Sequence, residues 1–108
     1  AGSICLAGVG DYWEDDVLAA EALRDAPASM PRLMLSHNPD VAEYCGDAVR
    51  IDLMLSGHTH GGQVWIPGVG TPVVPSQFGS KYAGGLCEGP EFRVLVSRGV
   101  GMAILPVR

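Results

Sequence analysis

Two stretches of the chain, RLMLSHNPD at residues 32–40 and IDLMLSGHTHGGQ at residues 51–63, decide the fold. Each begins with a short, nearly continuous apolar run, which is typical of a strand covered on both faces of a sheet. Between the two runs, Asn38, Pro39 and Asp40 offer an N-cap, a proline at the first helical position and an acid in the first turn, so a short helix is predicted. A strand, a helix and a second strand form a crossover unit with parallel strands. The carboxyl ends of both strands therefore meet at one edge of the predicted sheet.

All three histidines of the chain come directly after these two strands. His37 follows the first strand, and His58 and His60 follow the second. In open α/β sheets the crevice outside the carboxyl ends of the strands is where ligands bind. Neutral imidazole is the commonest protein ligand of metals, and residues two apart in extended backbone point to one face. The pattern predicts three converging metal ligands, against the alternative of a turn that carries surface histidines.

The remaining elements are predicted from periodicity and from turn residues. They are a strand over 3–9, an amphipathic helix over 14–24, a short strand over 63–66, a long loop over 67–90, and an antiparallel pair formed by 91–97 and 102–107.

Length and composition predict one compact domain over residues 1–108, with 47% hydrophobic residues and no internal repeat. A net charge of −5 excludes a nucleic-acid footprint, because neutralising phosphates needs clustered Lys and Arg. A membrane span is not expected either, since no apolar run approaches the roughly 20 residues that such a helix requires.

Three cysteines, Cys5, Cys45 and Cys87, are odd in number and too widely spaced for a metal or redox pair. Free thiols are expected, which favours a reducing compartment and hence the cytoplasm. A membrane-associated or exported parent protein stays open.

The segments LSHNPD at 35–40 and DLMLSGHTHGGQ at 52–63 resemble the last two metal motifs of calcineurin-like metallophosphoesterases. The segments 81–86 and 96–101 resemble the YkuE/YaeI-type bacterial branch of that family. The resemblance implies an α/β fold, namely the C-terminal half of an α/β/β/α sandwich of mixed sheets with flanking helices. It also implies a metal-dependent phosphoesterase, in particular a phosphodiesterase.

By the same resemblance, His37 and His58 bind one divalent metal ion and His60 binds a second, with a bridging water or hydroxide that attacks a phosphate ester. Mn²⁺, Fe or Zn²⁺ suit imidazole and carboxylate ligands. The earlier motifs of the family have no counterpart in this sequence, and the chain opens in mid-strand. We therefore expect a piece of a longer protein that carries part of a dinuclear site, has no assigned catalytic residue and is inactive alone.

Three further residues are weaker candidates for contact with the substrate. Asp11 follows the first predicted strand and could lie near the site, although capping of a turn is the favoured role for it. Arg98 and Lys81 can meet a phosphate or form surface ion pairs. The alternative function is a non-catalytic module that retains metal binding through His58 and His60. Since the other half of the sandwich is absent from the sequence, a homo-oligomer or a domain swap is also expected.

Overall fold

The five strands of the structure, a computed structural model, form one mixed sheet. The structure describes residues 2–12, 18–46, 49–59, 62, 66–69, 74 and 76–99. Its elements are β1 (Cys5–Gly8), α1 (Ala19–Ala22), β2 (Arg32–Leu35), a 3₁₀ helix (Pro39–Glu43), β3 (Leu53–Ser56), β4 (Gly85–Glu88) and β5 (Arg93–Val96). The strand order is β1-β2-β3-β5-β4, with β4 antiparallel to β5 and the other pairs parallel. The predicted α/β class is confirmed.

The crossover from β2 to β3 has the predicted arrangement. The two strands are parallel, and Met34 lies beside Met54 in their register. The connecting helix is a 3₁₀ helix with Pro39 at its start, and the Asn38 side chain accepts a hydrogen bond of 2.9 Å from the Asp40 N–H. This N-cap satisfies a backbone donor that would otherwise lack a partner at the helix start.

The core lies on one face of the sheet. Met34, Met54 and Val94 are fully buried there, and the 3₁₀ helix covers them with Val41 and Ala42. Side chains alternate between the two faces of a strand, so the leucines of the same strands point to the opposite face.

That opposite face, here called the leucine face, carries Leu6, Leu33, Leu35, Leu53, Leu55, Leu86 and Leu95. The register sets Leu35, Leu55 and Leu95 side by side on β2, β3 and β5. Leu6 is 60% exposed and Leu86 is 56% exposed in the described part of the chain. A largely parallel sheet normally has both faces covered, so this face is a surface that lacks a second layer among the described residues.

The C-terminal part of the chain differs from the prediction. Residues 67–90 were expected to form one long loop, but β4 lies within them and pairs with β5. Tertiary pairing, rather than local propensity, makes Gly85–Glu88 a strand, since these residues are not β-branched. β5 was expected to pair with residues 102–107, which lie outside the described residues.

The N-terminal helix is described only from Leu18 onward. It ends at Ala22, two residues before the predicted end, and its buried residue is Ala19; Leu23, the residue that follows it, is also buried. The predicted strand over 63–66 lies outside the described residues except for Ile66. No helix in the described ranges is long and apolar enough to cross a membrane.

Candidate metal centre

The loops that follow β2 and β3 bring His37 and His58 together. Backbone hydrogen bonds continue past the strand ends: the Ser36 N–H donates to Leu55 O, and the Gly57 N–H donates to His37 O, each at 3.1 Å. The ring centroids of the two histidines are 5.1 Å apart, with an interplanar angle of 71°. The parallel strand ends therefore place both imidazoles at one edge of the sheet, as the crossover argument predicted.

His58 sits at the centre of a tight turn. Its φ angle is +64°, the only positive φ of a non-glycine residue among the described residues. The Thr59 N–H donates to Gly57 O at 2.7 Å, which closes a three-residue γ-turn around His58. A γ-turn with a positive φ is rare and strained, and such a conformation persists only where the surrounding structure holds it.

Thr59 is what holds this turn to the rest of the molecule. It is fully buried, and its hydroxyl donates to Ala83 O at 3.0 Å. Its carbonyl accepts a hydrogen bond of 2.7 Å from the Gly62 N–H. All the polar groups of Thr59 are thus engaged, and the segment that contains Ala83 is fixed against the His58 turn.

An open cleft of about 420 Å³ lies at the same edge of the sheet. Its lining comes from the carboxyl ends of four parallel strands and consists of Gly8, Val9, Leu35, Ser36, His37, Leu55, Ser56, Gly57 and Ser97. His37 is exposed on the rim of this cleft. The cleft therefore gives a small ligand access to one of the paired imidazoles.

The histidine pair fits a metal ion. An imidazole nitrogen lies about 2.0–2.1 Å from bound Zn²⁺, so the ring centroids of two imidazoles on one tetrahedral ion are about 5 Å apart. The observed 5.1 Å matches that spacing. Since the same distance is also usual for two rings in edge contact, the spacing permits metal binding without requiring it.

The predicted third ligand, His60, lies outside the described residues. Within the described ranges, no group of three or more His, Cys, Asp or Glu side chains is close enough to hold a metal ion. The described part of the chain thus contributes two imidazoles to the candidate centre.

The three weaker candidates for contact with the substrate, Asp11, Lys81 and Arg98, differ in their surroundings. Asp11 is partly buried and comes three residues after β1 ends. Lys81 forms an ion pair with Glu43 and lies over the ring of Tyr82, 5.2 Å from its centroid. Arg98 packs along Gly84, where an added Cβ would lie 3.1 Å from its Nε atom. Lys81 is therefore engaged within the protein rather than held out toward a ligand.

A buried polar network joins the 3₁₀ helix after His37 to residues 76–82. The carboxylate of the fully buried Asp40 accepts hydrogen bonds from Ser76 Oγ at 2.6 Å and from the Gln77 N–H at 3.0 Å. The Tyr82 hydroxyl donates to Glu43 Oε1 at 2.8 Å. These contacts hold the segment that ends at Ala83, and thereby support Thr59.

The same network shifts two pKa values. Burial, followed by the hydrogen bond to the Glu43 carboxylate, raises the pKa of Tyr82 well above its usual value. Burial works against ionisation of Glu43, but hydrogen bonds from Lys81 and Tyr82 outweigh it and lower the pKa of that carboxyl. Tyr82 therefore remains a donor, and Glu43 an ionised acceptor, at neutral pH.

Sequence reasoning did not find the structural roles of Thr59, Asp40 and Tyr82. Asp40 was expected to act on its own helix, yet Asn38 supplies the cap and Asp40 reaches a segment more than 30 residues away. Only the position of Thr59 between two histidines offered a local signal. The partners of all three residues are distant in sequence, so no periodic pattern indicates them.

Several known proteins are similar to this chain. It is 43% identical to phosphodiesterase YaeI of Escherichia coli (strain K12) over 96 residues. This aligned region covers 89% of the chain and 34% of YaeI. It is 40% identical over 76 residues to the uncharacterized metallophosphoesterase YkuE of Bacillus subtilis (strain 168), covering 70% of the chain and 26% of YkuE. It is 34% identical over 65 residues to the UDP-2,3-diacylglucosamine pyrophosphatase LpxG of Chlamydia trachomatis, covering 60% of the chain and 20% of LpxG.

No family model matches the chain, and no solved structure matches it either. The chain spans between about a quarter and a third of the length of YaeI and YkuE. The strand-end histidines and these relatives together define the class of protein, a metallophosphoesterase. The chain is a partial, C-terminal region of a calcineurin-like metallophosphoesterase of the YaeI and YkuE type.

Proposed function

We propose that the protein containing this chain is a metal-dependent phosphodiesterase, and that His37, His58 and His60 are ligands of its two divalent metal ions. The observation that carries the proposal is the convergence of His37 and His58 at the carboxyl edge of the sheet, with ring centroids 5.1 Å apart. Ligand sites of open α/β sheets lie at this edge.

Two further features support the ligand assignment. His58 is held at a positive φ of +64°, and strained conformations of this kind cluster at functional sites. The relatives named phosphodiesterase YaeI and metallophosphoesterase YkuE align with 89% and 70% of the chain. Imidazole ligands suit Mn²⁺, Fe or Zn²⁺ in the presence of carboxylates from elsewhere in the protein.

A bound pair of divalent ions generates a nucleophile from water at neutral pH and neutralises charge on the phosphoryl oxygens. The residues of this chain orient and shape the site. His37 stands at the rim of the cleft, and His58 is fixed by its γ-turn, with a solvent-inaccessible Nε2 atom. Five of the nine residues that line the cleft are glycine or serine, and their small side chains leave room for a phosphate ester.

The test uses the longer protein that contains this chain and a generic aryl phosphodiester with added Mn²⁺. His37→Ala, His58→Ala and His60→Ala are each expected to lower turnover by about 100-fold or more, since each removes a predicted metal ligand. The matched control is Asp25→Asn, whose side chain is 93% exposed and which should retain wild-type turnover. Wild-type activity in all three histidine variants would show that the metal ligands lie elsewhere.

The second candidate is a non-catalytic module that binds metal through the histidines and acts by association. It is favoured by one observation, that the described residues bring together two imidazoles and no third candidate ligand. The same variants separate the two functions when calorimetric titration with Mn²⁺ is measured beside turnover. Metal binding without turnover by the longer protein supports the module, whereas metal-dependent turnover that the histidine variants lose supports the enzyme.

A further inference from the structure

We infer that Thr59 is a positioning residue for His58, and that the segment ending at Ala83 sets the direction of the imidazole through the Thr59 hydroxyl. The inference rests on the proposed role of His58 as a metal ligand. The Thr59 hydroxyl donates to a backbone carbonyl, that of Ala83, so the proposed role is to hold the neighbouring histidine.

The backbone at His58 is strained. A γ-turn with a positive φ at its centre is not a conformation that a histidine adopts by preference. The Thr59 N–H to Gly57 O hydrogen bond of 2.7 Å closes the turn, but one local hydrogen bond leaves the turn free to open. Contacts from outside the turn must therefore stabilise it.

Thr59 supplies those contacts. It is fully buried, its hydroxyl donates to Ala83 O at 3.0 Å, and its carbonyl accepts from the Gly62 N–H at 2.7 Å. A threonine fixed on both its side chain and its backbone leaves its neighbour little freedom. The ψ angle of His58 and the direction of its side chain are set by where Thr59 is held.

The Ala83 carbonyl, which accepts the hydrogen bond from Thr59, is itself held in place. Ala83 follows the fully buried Tyr82, whose hydroxyl donates to Glu43 at 2.8 Å. Glu43 is the last residue of the 3₁₀ helix that begins two residues after His37. A continuous path of contacts thus runs from the His37 loop through Glu43, Tyr82 and Thr59 to His58, and it fixes the two imidazoles relative to each other.

The test compares Thr59→Val, which keeps the side-chain shape but removes the donor, with Thr59→Ser, which keeps the hydroxyl. In the longer protein, calorimetry with Mn²⁺ or Zn²⁺ alone should show about 10- to 100-fold weaker binding for Thr59→Val, as is usual when a partner that orients a ligand is lost. Thr59→Ser should restore most of the affinity. Asp52→Ala, at the opposite end of the strands where Asp52 accepts from the Arg32 N–H, is the control for general destabilisation and should leave the affinity unchanged.

A second readout needs no metal. The amide at position 59 closes the γ-turn, so its hydrogen-exchange protection reports directly on that turn in the metal-free protein. Thr59→Val should lower this protection relative to the strand amides of β3, and Thr59→Ser should retain it. Protection of this amide in Thr59→Val equal to that in the wild type, or equal metal affinity of the two proteins, would overturn the inference.

The two readouts also separate this inference from the proposed function. Loss of metal binding in His58→Ala, with full binding in Thr59→Val, overturns the positioning role and leaves the ligand assignment intact. Absence of metal binding in the wild type contradicts the ligand assignment, and the exchange experiment then still decides whether Thr59 holds the turn.

Discussion

The strain at His58 is measurable by comparing two substitutions that both remove the imidazole, His58→Ala and His58→Gly. Position 58 has a φ of +64°. Alanine keeps a Cβ atom and must pay for that conformation, whereas glycine adopts positive φ readily. The difference in the free energy of unfolding between the two variants therefore isolates the backbone strain from the loss of the side chain.

The expected magnitude follows from two opposing effects. A residue held in a sparsely populated conformation costs about 1–3 kcal/mol. Glycine loses more conformational freedom on folding, which costs about 0.5–1 kcal/mol relative to alanine. The net expectation is that His58→Gly is more stable than His58→Ala by about 1 kcal/mol, within a range of about 0 to 2.5 kcal/mol.

Urea unfolding of the metal-free protein, followed by circular dichroism, measures this difference. With a slope of about 1–3 kcal/mol per molar urea, a change of about 1 kcal/mol moves the midpoint by about 0.3–1 M. The neighbouring Gly57 is the matched control, because its φ is not in the positive range and no described atom lies within 4 Å of a Cβ added there. Gly57→Ala should therefore be neutral or stabilising, by up to about 1 kcal/mol.

Local strain at His58 predicts that glycine is more stable than alanine at position 58, whereas alanine is at least as stable as glycine at position 57. If His58→Ala is more stable than His58→Gly by about 0.5–1 kcal/mol, the difference expected at an unstrained position, while Gly57→Ala behaves as expected, the backbone at His58 is not strained. The positioning role of Thr59 would then lose its physical reason.

Other predictions concern the buried network and the leucine face. Asp40→Ala should lower the free energy of unfolding by about 2–4 kcal/mol, because two hydrogen bonds to a buried carboxylate are lost. The control Glu91→Ala, at an exposed position, should change the free energy of unfolding by less than about 0.5 kcal/mol, and equal urea midpoints of the two variants would contradict the prediction. The pKa of Glu43 is lowered from its usual value of 4.5, so the stability that its carboxylate contributes is present above pH 4.5 and is lost as the pH falls below this value. Glu43→Gln should therefore lose less stability in acid than the wild type. Identical pH profiles of stability for the two proteins would refute the stabilising role of the Glu43 carboxylate. The 108-residue chain alone should self-associate through its leucine face in sedimentation equilibrium. The double variant Leu6→Lys, Leu86→Lys should self-associate more weakly. A wild-type chain that stays monomeric at high concentration would contradict this prediction.

The parallel part of the sheet was predictable from the sequence because it depends on local signals. Continuous apolar runs before His37 and His58, and the cap at Asn38, indicate two buried strands and the crossover between them. Once the strands are parallel, the position of both histidines at one edge follows from geometry alone. The same argument extends to His60 as a prediction.

The parts that sequence did not reveal depend on pairing across long separations. Gly85–Glu88 has no strand signal of its own and becomes β4 only because β5 offers it an edge. Asp40 and Thr59 look like local capping and turn residues, yet their partners Ser76 and Ala83 lie 36 and 24 residues away. Contacts of this kind are set by the packed fold and leave no periodic trace in the chain.

The most direct test of the metal centre is a crystal structure of the longer protein grown with Mn²⁺ or Zn²⁺, with diffraction data collected at the absorption edge of that metal. The proposed function predicts an anomalous peak about 2.0–2.2 Å from an imidazole nitrogen of both His37 and His58, and a second metal peak within ligand distance of His60. A fully occupied metal site that neither His37 nor His58 touches would contradict the assignment.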